Sequence, residues 1–328
     1  MQRRTTKAAF IRERGGVDRI QIGPVPVPDL GPTDVLVRME ASAVDHVDLF
    51  VRSGAYDTPT PFPFVLGRDL VGIVDAVGFG VPGLAPGTRV WTSSLGHGGR
   101  QGALSELVVV GIDRLYRLPD GVSALDAAPL LHTASTAHLG LSRHARLQPG
   151  EVLFVAGGGG GVGSAVIQLA AHRGATVIAS ASARDADWCL SLGARVVIDY
   201  AADDVDEQIA RAAPDGIDVW WDNSGRHDFS ALLPRMRQGG RVILMAGMTA
   251  RPVLPIGAVY TRDISLLGFA ISNASVTDLA DSARVVNSLL AAGRLRARVG
   301  ATFHLDETAA AHRAMESGDV TGRIVIVP

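Results

Sequence analysis

Residues 151–184 read EVLFVAGGGGGVGSAVIQLAAHRGATVIASASAR. The segment opens on an apolar run at 152–156, which is typical of a strand buried inside a parallel sheet. Glycines fill positions 157–161 and 163, and the apolar residues after them have helical spacing. A second apolar run follows at 175–179. The order strand, glycine-rich turn, helix, strand predicts a βαβ unit.

The glycines of this turn match a phosphate-binding pattern, because Gly158, Gly160 and Gly163 satisfy G-x-G-x-x-G. Such glycines allow a tight turn, a close approach of the backbone to a pyrophosphate, and close packing of helix on strand. The unpaired N–H groups of the helix N-terminus then bind the phosphates. Gly161 and Val162 complete the predicted turn. A flexible glycine linker is the alternative, but linkers are not bracketed by long apolar runs.

Length and composition restrict the class of protein. The chain has 328 residues, 47% of them hydrophobic and 20% charged, with a formal net charge of −2. About two domains with large cores are expected, without an electrostatic basis for binding nucleic acid or an anionic membrane. The single cysteine, Cys189, excludes an intrachain disulfide and a four-cysteine zinc lobe. No apolar signal segment follows the basic N-terminus, so a cytoplasmic protein is expected.

The chain changes character twice. Residues 1–121 contain short strand-like runs separated by turn signals, which favours a β-rich, barrel-like domain. Residues 122–271 contain the βαβ unit and four further apolar runs, giving the six strands of a doubly wound dinucleotide-binding sheet. Residues 272–328 hold two helical patterns and a last strand that do not extend the parallel series. We therefore assign this tail to the first domain.

This organisation resembles the medium-chain dehydrogenase/reductase superfamily. The run AGGGGGVGSAVIQLA is similar to a stretch of its zinc-independent, zeta-crystallin-like quinone oxidoreductase branch. Residues 45–48 with 52–56, 63–69, 222–225 and 239–242 are similar to further motifs of that branch. The resemblance implies a Rossmann-type doubly wound six-stranded parallel sheet and a GroES-like barrel that carries catalytic residues.

Departures from the family pattern concern the metal. Zinc alcohol dehydrogenases of this superfamily carry a cysteine, a G-H-E run and a second cysteine. This chain has Asp45, Arg68 followed by Asp69, and His132 at the matching positions. The aspartates and the histidine form an O,O,N set that remains open as a zinc site. Arg68, however, places a fixed cation where a ligand belongs, so no bound metal is expected.

The end of the second strand of the βαβ unit decides the cofactor. An NAD enzyme would carry an acid there to bind the ribose hydroxyls, whereas this chain has Ser182 and Arg184. A guanidinium suits a 2′-phosphate, and the resemblance adds Tyr200, so NADPH is expected. Asp185 stands at the family's lysine position and weakens this expectation. Further cofactor contacts are expected from the ends of later strands, at Asn223, Met248, Phe269 and Ile271.

The expected reaction follows from NADPH without a metal: reduction of a quinone or of an α,β-unsaturated carbonyl. The resemblance makes Tyr56 the donor to the developing oxyanion. Asp45 stands where the branch usually has an uncharged asparagine. Arg68 either pairs with Asp45 or Asp69 or stabilises the oxyanion. His97, on a glycine-rich loop, is a further residue possible over the substrate.

Two other functions stay open: a zinc alcohol dehydrogenase with unusual ligands, and an NADPH-binding protein without turnover. The resemblance also implies a homodimer. Relatives without a structural zinc lobe commonly pair through the last strand of the dinucleotide sheet, here at 264–269. That strand is apolar enough for the role, and an exposed edge would otherwise promote aggregation.

Overall fold

A computed structural model describes residues 4–328 of the chain. These residues form two compact units. The first unit contains residues 4–135 and Ala274–Pro328, and the second contains Thr136–Asn273. The sequence had placed the first boundary at 121/122, whereas the structure places 122–135 with the first unit. The reason is packing, because the helical turns of 124–130 lie on strands of that unit.

The strands are numbered along the chain. They are β1 Thr5–Ile11, β2 Gln21–Pro26, β3 Asp34–Val44, β4 Phe64–Val65, β5 Leu70–Val77, β6 Arg89–Thr92, β7 Leu107–Gly111, β8 Tyr116–Arg117, β9 Val152–Ala156, β10 Thr176–Ala181, β11 Val196–Asp199, β12 Ile217–Asp222, β13 Met236–Leu244, β14 Ser265–Gly268, β15 Val299–His304 and β16 Arg323–Val327. The α-helices are α1 His46–Ser53, α2 Ala124–Ala127, α3 Leu131–Leu139, α4 Gly161–His172, α5 Ala186–Ser191, α6 Val205–Ala212, α7 Phe229–Leu232, α8 Ile256–Tyr260, α9 Val276–Ala291 and α10 Thr308–Ser317. No helix among residues 4–328 is long and apolar enough to cross a membrane.

The first unit is built on two sheets. One has the order β2-β1-β4, and the other has the order β15-β16-β3-β5-β6-β8, with β7 also paired to β3. Inward-facing residues of β3 and β5, such as Val37, Met39 and Val74, are at most 2% exposed and form the core. The β-rich fold class expected for this part of the chain is therefore confirmed.

Two prolines, Pro24 and Pro26, lie within β2. Proline lacks the N–H of a ladder and is tolerated only on edge strands, and β2 is the edge of its sheet. The proline pattern therefore marks an edge strand.

The second unit is a single sheet with the order β11-β10-β9-β12-β13-β14, and every neighbouring pair is parallel. In the order of its own strands this is 3-2-1-4-5-6, so the doubly wound Rossmann-type sheet is confirmed. The order reverses between β9 and β12, and ligands of such sheets bind where the carboxyl ends of these strands lie. The strands predicted at 152–156, 175–179 and 264–269 lie within two residues of β9, β10 and β14.

The helical segment of residues 124–144 is interrupted. It divides into α2, a short 3-10 turn at 128–130 that contains Pro129, and α3, and a single π-helical turn follows at Gly140–His144. Proline removes a backbone donor, which explains the first interruption. Gly140 packs against the ring of Trp221, because a Cβ at position 140 would lie only 2.2 Å from that ring.

Candidate functional site

The glycine-rich turn lies at the carboxyl end of β9, where a cofactor phosphate is expected. Gly157 has φ +76°, a conformation that favours glycine, and Gly160 is the residue before α4. A Cβ at Gly163 would lie 2.1 Å from the carbonyl oxygen of Gly157. Only glycine therefore allows α4 to pack this closely on the turn.

The five-glycine run left the register of the motif uncertain, and the structure separates the roles of its members. Gly160 has φ −74°, and a Cβ there would lie 3.6 Å from the nearest atom, which is ordinary contact. The protein itself therefore has room for a side chain at position 160. A glycine there serves the close approach of a ligand. Gly161 and Val162 are the first two residues of α4.

The end of β10 brings together the residues expected to select the cofactor. The Ser182 hydroxyl donates to Oδ2 of Asp185 at 2.8 Å, and Nε of Arg184 lies 3.8 Å from the same oxygen. Arg184 keeps 69% of its side chain exposed, and the exposed ring of Tyr200 follows β11, whose neighbour is β10. Asp185 is buried against the glycine turn, because a Cβ on Gly159 would lie 2.8 Å from its carboxyl.

The later strands place the other expected cofactor residues in different surroundings. The Asn223 amide donates to the carbonyl of Ala156 at 3.2 Å and accepts from the Trp221 indole at 2.9 Å, so it joins the ends of β12 and β9. Phe269 stacks on His144 with ring centroids 4.4 Å apart. Two more differ in exposure: Met248 is 54% exposed and Ile271 is buried.

A buried His–Asp pair near the same edge was not found from the sequence. His227 has φ +46°, and its Nδ1 lies 2.9 Å from Oδ2 of Asp222. Its Nε2 lies 2.8 Å from the carbonyl of Ala246, in the loop after β13. The His227 ring therefore links the loop after β12 to the loop after β13 by a hydrogen bond. The resemblance had directed attention to Asn223, and no spacing in the sequence links residues 227 and 246.

In the first unit, six ionisable side chains form a buried group that we name the charged cluster. Its members are at most 9% exposed and are Asp45, Asp48, Arg68, Asp69, His132 and Arg323. Arg323, from the start of β16, donates to Oδ1 of Asp45 at 2.6 Å and to the carbonyl of Pro129 at 3.0 Å. The sequence suggested Arg68 as the partner of Asp45, and it missed Arg323 because β16 is 278 residues away.

Burial and the charges of this cluster shift the pKa values of Asp45 and Asp69 in opposite directions. Burial opposes ionisation of Asp45, but the charge and hydrogen bond of Arg323 together with His132 outweigh it and hold the pKa of Asp45 below its ordinary value. Burial and the neighbouring Asp45 raise the pKa of Asp69 well above its ordinary value. Of these two carboxyl groups, Asp69 is therefore the one that favours the protonated form.

Three atoms of the cluster determine whether a metal fits. They are Oδ2 of Asp45, Oδ1 of Asp69 and Nδ1 of His132. All three atoms are buried and have no hydrogen-bond partner among residues 4–328. The ligand atoms of these three side chains lie within 4.8 Å of one another. A proton on Asp69, whose pKa is raised, would supply one donor to this group of acceptors. Burial lowers the pKa of His132, and the positive charges of Arg68 and Arg323 lower it further. A dication would be placed beside these same buried guanidinium groups. The donor set fits zinc by atom type and does not fit it by charge.

Asp48 supplies a test of this electrostatic description. It accepts a hydrogen bond from the backbone N–H of Asp45 at 2.8 Å, while burial and the charge of Asp45 raise its pKa to about 7. An unfolded aspartate has a pKa of about 3.9. The folded state therefore loses stability as the pH rises from about 4 to about 7, because only the unfolded chain ionises freely in that window.

Asp48→Asn removes this ionisation and keeps an oxygen to accept the hydrogen bond. We expect its stability relative to the wild type to increase between pH 5 and pH 8, to as much as about 4 kcal/mol. Urea denaturation at the two pH values measures the change. Asp57→Asn, at a side chain that is 94% exposed, is the control and is expected to show no such increase. An equal stability difference for Asp48→Asn at both pH values would contradict the prediction.

Tyr56 lies in the loop that follows α1, near Arg68 and a histidine. Its ring is half-buried, and its centroid lies 5.7 Å from that of His97. Arg68 is 1% exposed, so it does not project freely into solvent. Burial lowers the pKa of Arg68, opposed by the neighbouring Asp48 and Tyr56. Tyr56 and His97 are thus two half-buried residues close to a buried guanidinium.

Family models match both units of the chain. Residues 31–120 match the alcohol dehydrogenase GroES-like domain, and residues 161–287 match the zinc-binding dehydrogenase family. The GroES-like and Rossmann-type architecture expected from the sequence is therefore confirmed.

Known proteins are similar over nearly the whole length. The NADPH-dependent alkenal/one oxidoreductase of Arabidopsis thaliana is 30% identical over 98% of this chain and 79% of its own. The quinone oxidoreductase of Sus scrofa is 28% identical over 92% of this chain and 91% of its own. The structure of an NAD-dependent alcohol dehydrogenase is 32% identical and has a TM-score of 0.88, covering 98% of this chain and 99% of its own. The chain therefore belongs to the medium-chain dehydrogenase/reductase superfamily, as an oxidoreductase of its quinone oxidoreductase-like branch.

Proposed function

We propose that the protein is an NADPH-dependent reductase of quinones or α,β-unsaturated carbonyl compounds that works without catalytic zinc. The observation that carries the proposal is the charged cluster. At the positions where zinc dehydrogenases of the superfamily hold their metal, this chain has an internal ion pair between Arg323 and Asp45, and Arg68 is buried beside it. Permanent protein cations therefore stand where a metal would supply positive charge.

The substrate class follows from this charge arrangement. Oxidation of a simple alcohol needs a strong Lewis acid or base at the hydroxyl. A quinone or an enone already has an electron-poor carbon, and its reduction needs only hydride and a donor to the oxygen that becomes negative. Bound NADPH supplies the hydride. The half-buried hydroxyl of Tyr56 is the donor to that oxygen.

The residues of the second unit fit the cofactor. The glycine turn of 157–163 and the N-terminus of α4 would hold the pyrophosphate, and Arg184 with Tyr200 would hold the 2′-phosphate. The Arabidopsis relative is named as NADPH-dependent and supports this choice. The solved alcohol dehydrogenase is named as NAD-dependent, so the two cofactors need a direct comparison.

The deciding experiment measures NADPH oxidation by purified protein with 1,2- and 1,4-quinones, α,β-unsaturated ketones and aldehydes, and simple alcohols with NADP⁺. We expect turnover with the quinones or enones, no loss after chelation, and less than stoichiometric zinc by elemental analysis. Turnover restricted to alcohols together with stoichiometric zinc would establish the zinc dehydrogenase instead. That alternative is supported by the three unpartnered atoms of Asp45, Asp69 and His132. Tight NADPH binding without turnover would indicate a binding protein.

Arg184 provides a test of the cofactor preference. Arg184→Met removes the guanidinium from a largely exposed position, where its loss costs the fold little. We expect the KM for NADPH to rise about tenfold, the effect of one charge-assisted hydrogen bond, and the KM for NADH to stay unchanged. Asp185→Asn, which removes a negative charge beside the phosphate site, is expected to lower the KM for NADPH. An equal change for both cofactors in Arg184→Met would contradict the assignment.

The homodimer remains a proposal that β14 supports. This strand is the edge of the sheet of the second unit, and its residues are exposed or half-exposed. Large apolar side chains in the segment before it are also exposed, namely Met248, Val253, Ile256 and Tyr260. Sedimentation equilibrium is expected to give the mass of two chains. Replacing Leu267 of β14 by lysine is expected to shift the mass toward one chain, because an edge charge prevents pairing.

A further inference from the structure

We propose that His97 is a second hydrogen-bond donor to the carbonyl oxygen of the substrate, beside Tyr56, and that Thr58 holds its ring proton on Nε2. This inference rests on the proposed function, because it names a further residue for the same reaction. His97 donates without giving up its proton, so it stabilises the developing negative charge as a fixed dipole.

The hydrogen bonds of Thr58 determine the tautomer of His97. The Thr58 side chain is 3% exposed, and its hydroxyl oxygen accepts from the backbone N–H of Gly98 at 2.9 Å. The same oxygen lies 3.0 Å from Nδ1 of His97. Within residues 4–328 this nitrogen is the only acceptor recorded for the hydroxyl proton. If Nδ1 carried its own proton, the buried hydroxyl proton of Thr58 would have no partner, which is unfavourable. The favoured arrangement has Nδ1 accepting and the proton on Nε2.

The charge state of His97 agrees with this geometry. Burial and the nearby positive charges of Arg68, Arg100 and Arg114 lower the pKa of His97 to about 4. The ring is therefore neutral at physiological pH and has one N–H. That single N–H is on the nitrogen facing away from Thr58, and Nε2 has no hydrogen-bond partner among residues 4–328. A half-buried N–H that the protein leaves unused is available to a ligand.

The surroundings of His97 select an oxygen that becomes negative. The Tyr56 ring lies 5.7 Å from the His97 ring, and the Tyr56 hydroxyl is likewise without a protein partner in the described chain. All the charges that act on His97 are positive. Two unused donors in a positive field favour a carbonyl oxygen that gains negative charge over an alcohol that must lose a proton.

Two pairs of variants separate this role from a structural one. Glutamine places an N–H close to the position of Nε2 in histidine, whereas asparagine places one close to Nδ1. We expect His97→Asn to lower kcat with an enone about 100-fold and His97→Gln to lower it less than tenfold. Thr58→Val, which releases the tautomer, is expected to lower kcat about tenfold, and Thr58→Ser to restore most of it. The KM for NADPH is expected to stay within about twofold in all four.

A second measurement is independent of activity. Long-range nitrogen–proton NMR spectra of labelled wild-type protein, with His97 assigned through His97→Gln, are expected to show a neutral ring protonated on Nε2 at pH 7. A ring protonated on Nδ1 would overturn the inference, as would wild-type kcat in His97→Asn. In both cases an active wild type leaves the proposed function intact. A wild type that reduces no quinone or enone refutes the proposed function itself.

Discussion

Replacing Arg323 by leucine is expected to lower the free energy of unfolding by about 3–5 kcal/mol. The substitution leaves the carboxylate of Asp45 buried and ionised without its partner, and it removes the donor to the carbonyl of Pro129. A buried ion pair adds little net stability, because desolvation of the two ions offsets their attraction. Removal of one partner is nevertheless strongly destabilising, because the other ion stays buried without a counter-charge. Chemical denaturation followed by fluorescence measures the loss.

The matched control is Arg284→Leu. Arg284 also pairs with an aspartate, Asp281, but their side chains are 76% and 55% exposed. An exposed pair contributes at most about 1 kcal/mol, so this control is expected to unfold almost as the wild type does. The double variant Asp45→Asn/Arg323→Leu is expected to recover part of the loss, because no charge is then left unpaired. Equal losses for Arg323→Leu and Arg284→Leu would refute the buried ion pair as a source of stability.

A methyl group at Gly163 is expected to weaken NADPH binding by about 100-fold or more and to destabilise the fold at the same time. The Cβ of Gly163→Ala would lie 2.1 Å from the carbonyl oxygen of Gly157, and a backbone atom cannot yield as a side chain does. The N-terminus of α4 must therefore move away from the turn. Titration calorimetry with NADPH and the thermal midpoint together measure the effect.

Gly160→Ala separates packing from ligand approach. Its Cβ would lie 3.6 Å from the nearest atom, so the thermal midpoint is expected to stay close to that of the wild type. Its affinity for NADPH is still expected to fall, since the pyrophosphate approaches the backbone at that glycine. Equal thermal midpoints for Gly163→Ala and Gly160→Ala would show that the close packing of α4 does not require Gly163.

The sequence determined the parts of this protein that depend on neighbours along the chain. The apolar runs and the glycine turn were sufficient to predict the six parallel strands, because strand periodicity, turn chemistry and right-handed crossovers are local rules. The resemblance supplied the GroES-like unit, Tyr56 and the family. Strands β4 and β8 have two residues each and β2 contains proline, so these three strands have weak local signals.

The tertiary structure decided the parts that depend on distant partners. Arg323 contacts Asp45, which is 278 positions away in the sequence. His227 lies within hydrogen-bond distance of the carbonyl of Ala246, and Thr58 lies within hydrogen-bond distance of His97, 39 positions away. A hydrogen bond or an ion pair depends on atoms a few ångströms apart, and sequence periodicity has no information about which distant side chains meet. The fold followed from local patterns in this chain, whereas the protonation states of its candidate site followed only from burial and from contacts that the fold creates.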